Sequence, residues 1–308
     1  MICPITYEEI PGKGRYSAAG LRKLSPRLTT LHDFPYTAEE QRREAAHRAS
    51  RMSIQGVQPK LSVLLDVPAG SFRVTDRGGT YILKPKSPDY DELPENEDLT
   101  MRLAGVFGIE VPFHGLVYVK DGSFSYFIRR YDRLPRNRKL PVEDFAQLAG
   151  RTRDTKYDSS MEQVAGVIDA FATFPAVEKA KLFARFLFYF VTGNEDMHLK
   201  NWSLITRGRR VELAPAYDLL NTSIVFRNPE ETALPVNGKR NQLTRHDLVE
   251  YFGRERLGLS DRTIDNILVW LAAAQDPWQA LIGRSFLSED MKRRYREVVT
   301  ERVGRIAG

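Results

Sequence analysis

Cysteine is nearly absent from this chain: Cys3 stands alone among 308 residues. One thiol excludes an internal disulfide and any zinc site built from cysteines alone, and a reducing cytoplasm is the natural setting for such a composition. Long hydrophobic runs are missing too. The longest, Leu182 to Val191, is interrupted by Arg185 and is far short of a bilayer span, so no membrane association is expected. No basic-then-apolar leader opens the chain, which argues against export. Internal repeats and low-complexity tracts are also lacking. What remains, 42% hydrophobic and 28% charged residues, is ordinary for a globular protein with one large core or two modest ones.

The formal net charge of +6 is modest, and its distribution is more informative. Cations gather near the N-terminus (Lys13, Arg15, Arg22, Lys23, Arg27, Arg42, Arg43, Arg48, Arg51) and again at Lys292, Arg293, Arg294, Arg296, Arg302 and Arg305. Acids gather at Asp89, Asp91, Glu92, Glu95, Glu97 and Asp98. Each run reads most simply as a solvated face. The sharper alternative is a weakly basic protein that meets nucleic acid, or a partner that does.

Chemistry concentrates in one stretch. Asp196 and Asn201 are five residues apart in Asn194-Glu195-Asp196-Met197-His198-Leu199-Lys200-Asn201, and Asp218 follows. Phosphoryl transfer from ATP needs such parts: a carboxylate that orients the attacking hydroxyl, an amide oxygen for one Mg²⁺, and a second carboxylate for Mg²⁺ at the phosphates. Protein kinases use the same Asp-to-Asn spacing, with a metal-binding Asp further on, although neither a His-Arg-Asp nor an Asp-Phe-Gly triplet occurs here. His198 is a conceivable metal ligand, but no second His or Cys stands at ligand spacing, and a hydrogen-bonding structural role is the simpler reading.

Periodicity divides the chain in two. Pro4, Pro11, Pro26 and Pro35 suggest a loop-rich leader over residues 1–50, with a short helix from Ala38 to Arg48. Strands are expected at Leu61–Val67, Phe72–Val74 and Thr80–Lys84, and a hairpin at Val111–Lys120 and Ser123–Arg130 around Asp121-Gly122. A helix from Glu95 to Phe107 interrupts them. Residues 51–132 thus read as a β-rich lobe attached to that leader, and 133–308 as a mostly helical lobe. In the second lobe, helices are expected at Met161–Phe174, Ala176–Val191 (apolar nearly all round, hence buried), 244–253, 260–273 and 288–304. Short strand-like pieces lie at Trp202–Ile205 and Val211–Leu213. The fold class is α+β, in the order of a bilobal protein kinase with a β-rich N-lobe and a helical C-lobe.

Lys84 ends its strand where a kinase places the lysine for the α- and β-phosphates, though a strand-end lysine is commonly a solvated one. Glu95 or Glu97, opening the next helix, could pair with it, and acids also suit a helix start through the dipole. The segment from Met52 to Ser62 holds a single glycine, so it is neither a Walker A loop nor the usual kinase glycine loop. Ser53 is a hydroxyl placed either to touch phosphate or to receive it.

Six ordered motifs now stand together: Ser53-Ile54-Gln55-Gly56-Val57-Gln58-Pro59-Lys60-Leu61, Tyr81-Ile82-Leu83-Lys84-Pro85, Leu93-Pro94-Glu95-Asn96-Glu97, Arg130-Tyr131-Asp132-Arg133, Asp196-Met197-His198-Leu199-Lys200-Asn201 and Pro215-Ala216-Tyr217-Asp218-Leu219. From about residue 50 to 305 the chain resembles the HipA family of bacterial toxin serine/threonine kinases. The resemblance implies ATP and Mg²⁺ as cofactors, a cytoplasmic toxin–antitoxin pair, and arrest of translation by phosphorylation of an aminoacyl-tRNA synthetase, with or without bound tRNA. It implies Asp196 as catalytic base, Asn201 and Asp218 as metal ligands, and Lys84, Tyr131, His198 and Lys200 as ATP-binding residues. It further implies Ser53, Gln55, Gly56 and Val57 as the phosphate loop, with Ser53 the autophosphorylated serine. The chain is shorter than the long family members and is similar to the short HipT branch. There a small HipS-like protein can supply the missing N-terminal subdomain beside a HipB-like helix-turn-helix antitoxin. Arg51 stands where some short relatives carry a second loop serine. Two other readings remain open: a small-molecule phosphotransferase on a similar scaffold, and a catalytically dead binding module.

Overall fold

The structure is a computed structural model that describes residues 1–12, 14–48, 58–135, 138–226 and 230–307. It is an α+β protein whose chain divides into two compact units. The first comprises Met1–Leu99, Pro112–Asn137 and Gly283–Leu287, and the second Thr100–Val111, Arg138–Ile282 and Ser288–Gly308. Among the described residues no helix is long and apolar enough to cross a membrane.

The first unit is organised by a five-stranded antiparallel sheet, in which β1 (Leu61–Asp66), β2 (Ser71–Val74), β3 (Tyr81–Pro85), β4 (His114–Tyr118) and β5 (Phe124–Arg129) stand in the order β2-β1-β3-β5-β4. Alternation along β1 and β3 sends Leu61, Val63, Tyr81 and Leu83 into a common core with Phe72 and Phe127. The segment expected to be loop-rich supplies most of the rest of that core. Cys3, Ile5, Leu21, Leu24, Leu28, Leu31 and Phe34 all pack into it. Two helices organise that segment: α1 (Ala18–Leu24), which has no long periodic stretch to announce it, and α2 (Ala38–Arg48), found where expected. The Ser17 hydroxyl caps α1 by accepting from the Gly20 N–H at 3.0 Å. The segment also covers the exposed edge of the sheet. Leu116 N–H donates to the Pro4 carbonyl at 3.1 Å and Phe34 N–H to the Tyr118 carbonyl at 2.9 Å, which gives β4 the partners an edge strand lacks.

The second unit is mostly helical. Its centre is α6 (Pro175–Val191), where Leu182, Phe183, Phe186, Leu187, Phe188, Tyr189, Phe190 and Val191 are all buried, in keeping with an all-round apolar helix. Around it lie α5 (Met161–Phe171), a π-helical stretch at His246–Arg256, α7 (Asp261–Arg284) and α8 (Glu289–Ala307). Gly253 of the π-helical stretch is a close-approach glycine: a Cβ there would meet the Phe183 ring at 2.8 Å. Two small elements had no sequence signal, the strand β6 (Val142–Asp144) and the helix α4 (Phe145–Leu148). β6 pairs with β7 (Ser203–Arg207), which pairs with β8 (Arg210–Leu213). α3 (Leu93–Val106) runs from the first unit into the second.

α7 departs most from expectation: it continues past residue 273 and through Pro277. A mid-helix proline removes a hydrogen bond and clashes with the preceding turn. The opposing gain is burial, since Trp278 and Ile282 just beyond it are fully buried. The Trp278 indole donates to the Leu103 carbonyl at 2.9 Å and meets the rings of Phe107 and Phe188 edge-on at 6.0 and 5.7 Å.

The cationic run of α8 is largely neutralised within its own unit. Lys292 pairs with Glu289, Arg293 with Asp290 and Glu297, and Arg305 with Glu231 and Glu301, so a solvated, ion-paired face describes it best.

Replacing Trp278 with Ala should destabilise the second unit by about 3–5 kcal/mol, the usual cost of deleting a buried large aromatic. Trp278→Phe, which keeps a ring and removes only the indole's bond to the Leu103 carbonyl (that carbonyl still accepts from the Phe107 N–H), should cost markedly less. Denaturant unfolding of the two variants, followed by near-UV circular dichroism, measures the difference.

Candidate active site

The site residues of the first unit start from β3. Lys84 is paired across the sheet with Tyr126 of β5 and is 4% exposed. Its Nζ lies 2.6 Å from Oε1 of Glu97, itself nearly buried, and 5.7 Å from the centre of the Tyr126 ring. Sequence alone left Glu95 and Glu97 as equal candidates for this pair, and the helix decides between them. Residues two apart on a helix face different directions, so only one can reach a given neighbour. The next residue, Asp98, accepts from His114 Nδ1 at 2.8 Å, so α3 presents two buried carboxylates to β3 and β4.

Glu95 has another environment. Its Oε2 is buried without a hydrogen-bond partner among the described residues, and burial pushes its pKa from the ordinary 4.5 up to about 7. Tyr131 follows β5 in a turn fixed by its neighbours, where the Arg130 guanidinium grips Asp132 through two hydrogen bonds of 3.0 and 2.9 Å. Ser53, Gln55, Gly56 and Val57, the expected phosphate loop, lie outside the described residues.

In the second unit the loop after α6 carries the acid motif. Gly193 takes φ +68°, and a Cβ there would meet Asn221 Oδ1 and Ser223 Oγ at 2.7 Å each, so both handedness and space require glycine. The Gly193 carbonyl accepts from the Thr222 N–H at 2.8 Å, which ties this loop to the segment just beyond Asp218. Glu195 is buried, and its carboxylate receives Arg302 Nη2 and Ser223 Oγ, both at 2.6 Å. Arg302 also donates Nη1 to the Phe190 carbonyl at the end of α6, at 2.9 Å. Asp196, by contrast, is exposed. Met197 and Leu199 on either side of His198 are buried, so the loop is anchored while its acid faces out.

Asn201 shows why an amide belongs here. Its Nδ2 donates to the main-chain carbonyl of Asp196 at 2.8 Å. With the NH₂ group committed, the amide oxygen is the atom left to meet a cation, and the Asn201 amide is held against the main chain of Asp196. Asp218 has φ +56°, a backbone region that most side chains avoid and that commonly marks functional positions. Tyr217 just before it binds both Ser203 Oγ and the Lys200 carbonyl, the latter at 3.1 Å, which joins the Asp218 segment to the turn carrying Asn201. Among the described residues no group of three or more His, Cys, Asp or Glu side chains could cage a metal. One carboxylate and one amide oxygen suit Mg²⁺, which keeps waters and shares its coordination with substrate phosphates.

His198 and Lys200 are engaged within the protein. Lys200 Nζ pairs with Asp144 at 3.1 Å, at the start of α4. Lys156 Nζ lies 2.8 Å from His198 Nε2, and an ammonium can only donate, so the imidazole accepts there and carries its proton on Nδ1. Burial lowers the His198 pKa, which keeps it neutral. The Tyr157 hydroxyl donates to Asp196 Oδ1 at 2.6 Å. Glu195, Arg302, Lys156 and Tyr157 carried no sequence signal. Arg302 lies 107 residues from Glu195, and Tyr157 lies in an aperiodic stretch.

Comparison with known proteins follows this geometry. A family model described as the HipA-like C-terminal domain matches residues 52–278. A putative kinase, Y4dM, of Sinorhizobium fredii is 36% identical over 228 residues, covering 68% of this chain and 55% of that protein. The serine/threonine-protein kinase toxin HipA of Shewanella oneidensis is 27% identical over 207 residues, covering 61% of this chain and 47% of the toxin. The chain therefore spans about half the length of these curated relatives. A solved complex of Shewanella oneidensis HipA with HipB and operator DNA matches in fold with a TM-score of 0.71 at 23% identity, over 91% of this chain and 73% of that one.

Two outcomes check the geometry. Glu195→Ala leaves the Arg302 guanidinium buried and unpaired and should cost about 3–5 kcal/mol, whereas replacing both residues with Met should recover much of it; urea denaturation of the three variants measures this. For Glu95 the raised pKa means that the folded chain keeps a proton the unfolded chain has lost between about pH 4.5 and 7. Its contribution is full below that window and disappears as pH rises through it. Glu95→Gln should therefore melt higher than the parent at pH 8, with the gain shrinking towards pH 4.

Proposed function

The chain belongs to the family of HipA-like C-terminal domains, and from that premise we propose that it is an ATP-dependent serine/threonine protein kinase of the toxin type. The observation that carries the reading is the Asp196–Asn201 lock. A carboxylate is presented to solvent, and an amide with its nitrogen already spent stands beside it. An acid in a left-handed backbone follows, linked to the same turn through Tyr217. Kinase-named relatives support the reaction class.

In this reading Asp196 accepts the proton of the incoming seryl or threonyl hydroxyl. Asn201 and Asp218 hold Mg²⁺, whose charge offsets that of the phosphates. Lys84, kept straight by Glu97, meets the α- and β-phosphates, and Tyr131 lines the adenine. Ser53, Gln55, Gly56 and Val57 cover the phosphates, with Ser53 as the autophosphorylated residue. His198 and Lys200 stiffen the loop that meets ATP.

The toxin reading extends to partners. A HipB-like helix-turn-helix antitoxin is supported by the solved HipA–HipB–DNA complex of the Shewanella relative. The substrate is an aminoacyl-tRNA synthetase, in which a phosphate near the tRNA or ATP site would add roughly −1.5 to −2 charge and repel them. We place the chain in the short HipT branch, with a small HipS-like protein as a further partner, acting in the cytoplasm.

Asp196→Asn should fold, bind Mg-ATP and lose transfer by about 10²–10⁴-fold. Asp218→Asn should lose at least as much and need far more Mg²⁺ for nucleotide binding. Radiolabel transfer from ATP, with calorimetry across a Mg²⁺ series, measures both, and activity at the parental level in either variant would overturn the assignment.

A further inference from the structure

We propose that Tyr157 is a positioning residue for Asp196, holding the carboxylate in the orientation from which it takes the acceptor proton; this rests on the kinase reading above. Asp196 is exposed and sits on a loop, so its side chain is otherwise free to sample several rotamers. The Tyr157 phenol donates to Oδ1 at 2.6 Å, a short bond to a carboxylate. One oxygen is thereby occupied and the other is left for the acceptor hydroxyl. Bases oriented by a third group recur in enzymes that activate a hydroxyl.

A tyrosine on a loose loop could not do this, and Tyr157 is not loose. Four contacts, besides the bond to Asp196 itself, tie residues 156–157 to their surroundings. The Lys156 carbonyl accepts from the Leu199 N–H at 3.2 Å, inside the acid-bearing loop. Lys156 Nζ reaches His198 Nε2 at 2.8 Å. The Tyr157 ring meets the His198 ring edge-on at 5.0 Å, with the Lys156 ammonium 4.8 Å from its centre. Arg240 donates Nη2 to the Tyr157 carbonyl at 3.3 Å. A gate that swung aside to admit substrate would have to break these together, so the arrangement reads as a strut. The neighbouring lock is independent of it, because Asn201 fixes the main chain of Asp196 while Tyr157 fixes the side chain.

Tyr157→Phe removes one hydroxyl and keeps the ring, hence the packing on His198. The experiment uses the full chain with γ-labelled ATP and heat-treated bacterial lysate protein as acceptor, alongside thermal melts of Tyr157→Phe, Asp196→Ala and the double variant. Positioning predicts that kcat falls by about 10- to 100-fold, as for a reacting group slightly misplaced, while KM for ATP stays within about twofold. The melting shifts of the single variants should not add in the double variant. An unchanged kcat would make Tyr157 merely structural, and a raised kcat/KM would make it a plug on the acceptor seat; either overturns the proposal. Additive melting shifts would deny the contact itself whatever the activity. A parent that transfers no phosphate would sink the kinase reading, and with non-additive melts would leave Tyr157 a structural contact only.

Discussion

The second unit depends on a charge pair kept out of water. Glu195 and Arg302 are both nearly buried, and removing two such ions from solvent costs several kcal/mol each before their attraction is counted. The pair persists because neither member is left short of partners. Glu195 also receives Ser223 and Thr222, and Arg302 also reaches the Phe190 carbonyl. What the pair joins explains its worth. The end of α6, the residue beside Asp196, the segment after Asp218 and α8 meet at one carboxylate. The exposed acid can therefore be both accessible and fixed: its neighbour in sequence carries the constraint.

The first unit answers a similar problem in the same way. Lys84 is buried with Glu97, so its ammonium is held in one place by an opposite charge, whereas a free lysine would swing on four carbons. Hydrophobic residues of similar volume often serve stability nearly as well as such a buried pair. The two ion pairs are better understood as devices for aiming charge. Asp218 belongs with them, since a side chain held in a left-handed backbone has its direction set by the main chain.

Sequence legibility followed range. The β1–β5 strands were readable to within a few residues because alternation and the turns at Asp76-Arg77-Gly78-Gly79 and Asp121-Gly122 are local signals. α1, β6 and α4 were not, being too short to show a period. α7 was expected to end at residue 273, and its continuation through Pro277 goes with the distant partners of Trp278. At the site the same division holds. Asp196, Asn201, Asp218 and Lys84 stand in an order and, for the first two, at a spacing that resemble those of protein kinases, which is a signal local enough to read. The choice of Glu97 over Glu95 needed the rotation of a helix against a sheet. Glu195 with Arg302, and Tyr157 with Asp196, needed the folded chain, because nothing in a lone Glu, Arg or Tyr announces a partner elsewhere.

The reach of the Glu195–Arg302 contact has a temporal side. A ribosome makes roughly 5–20 residues per second, so the 107 residues between the two take several seconds to appear. Throughout that interval the loop bearing Asp196 exists without its anchor, and Glu195 can remain solvated. The loop becomes a fixed object only once α8 has emerged and docked.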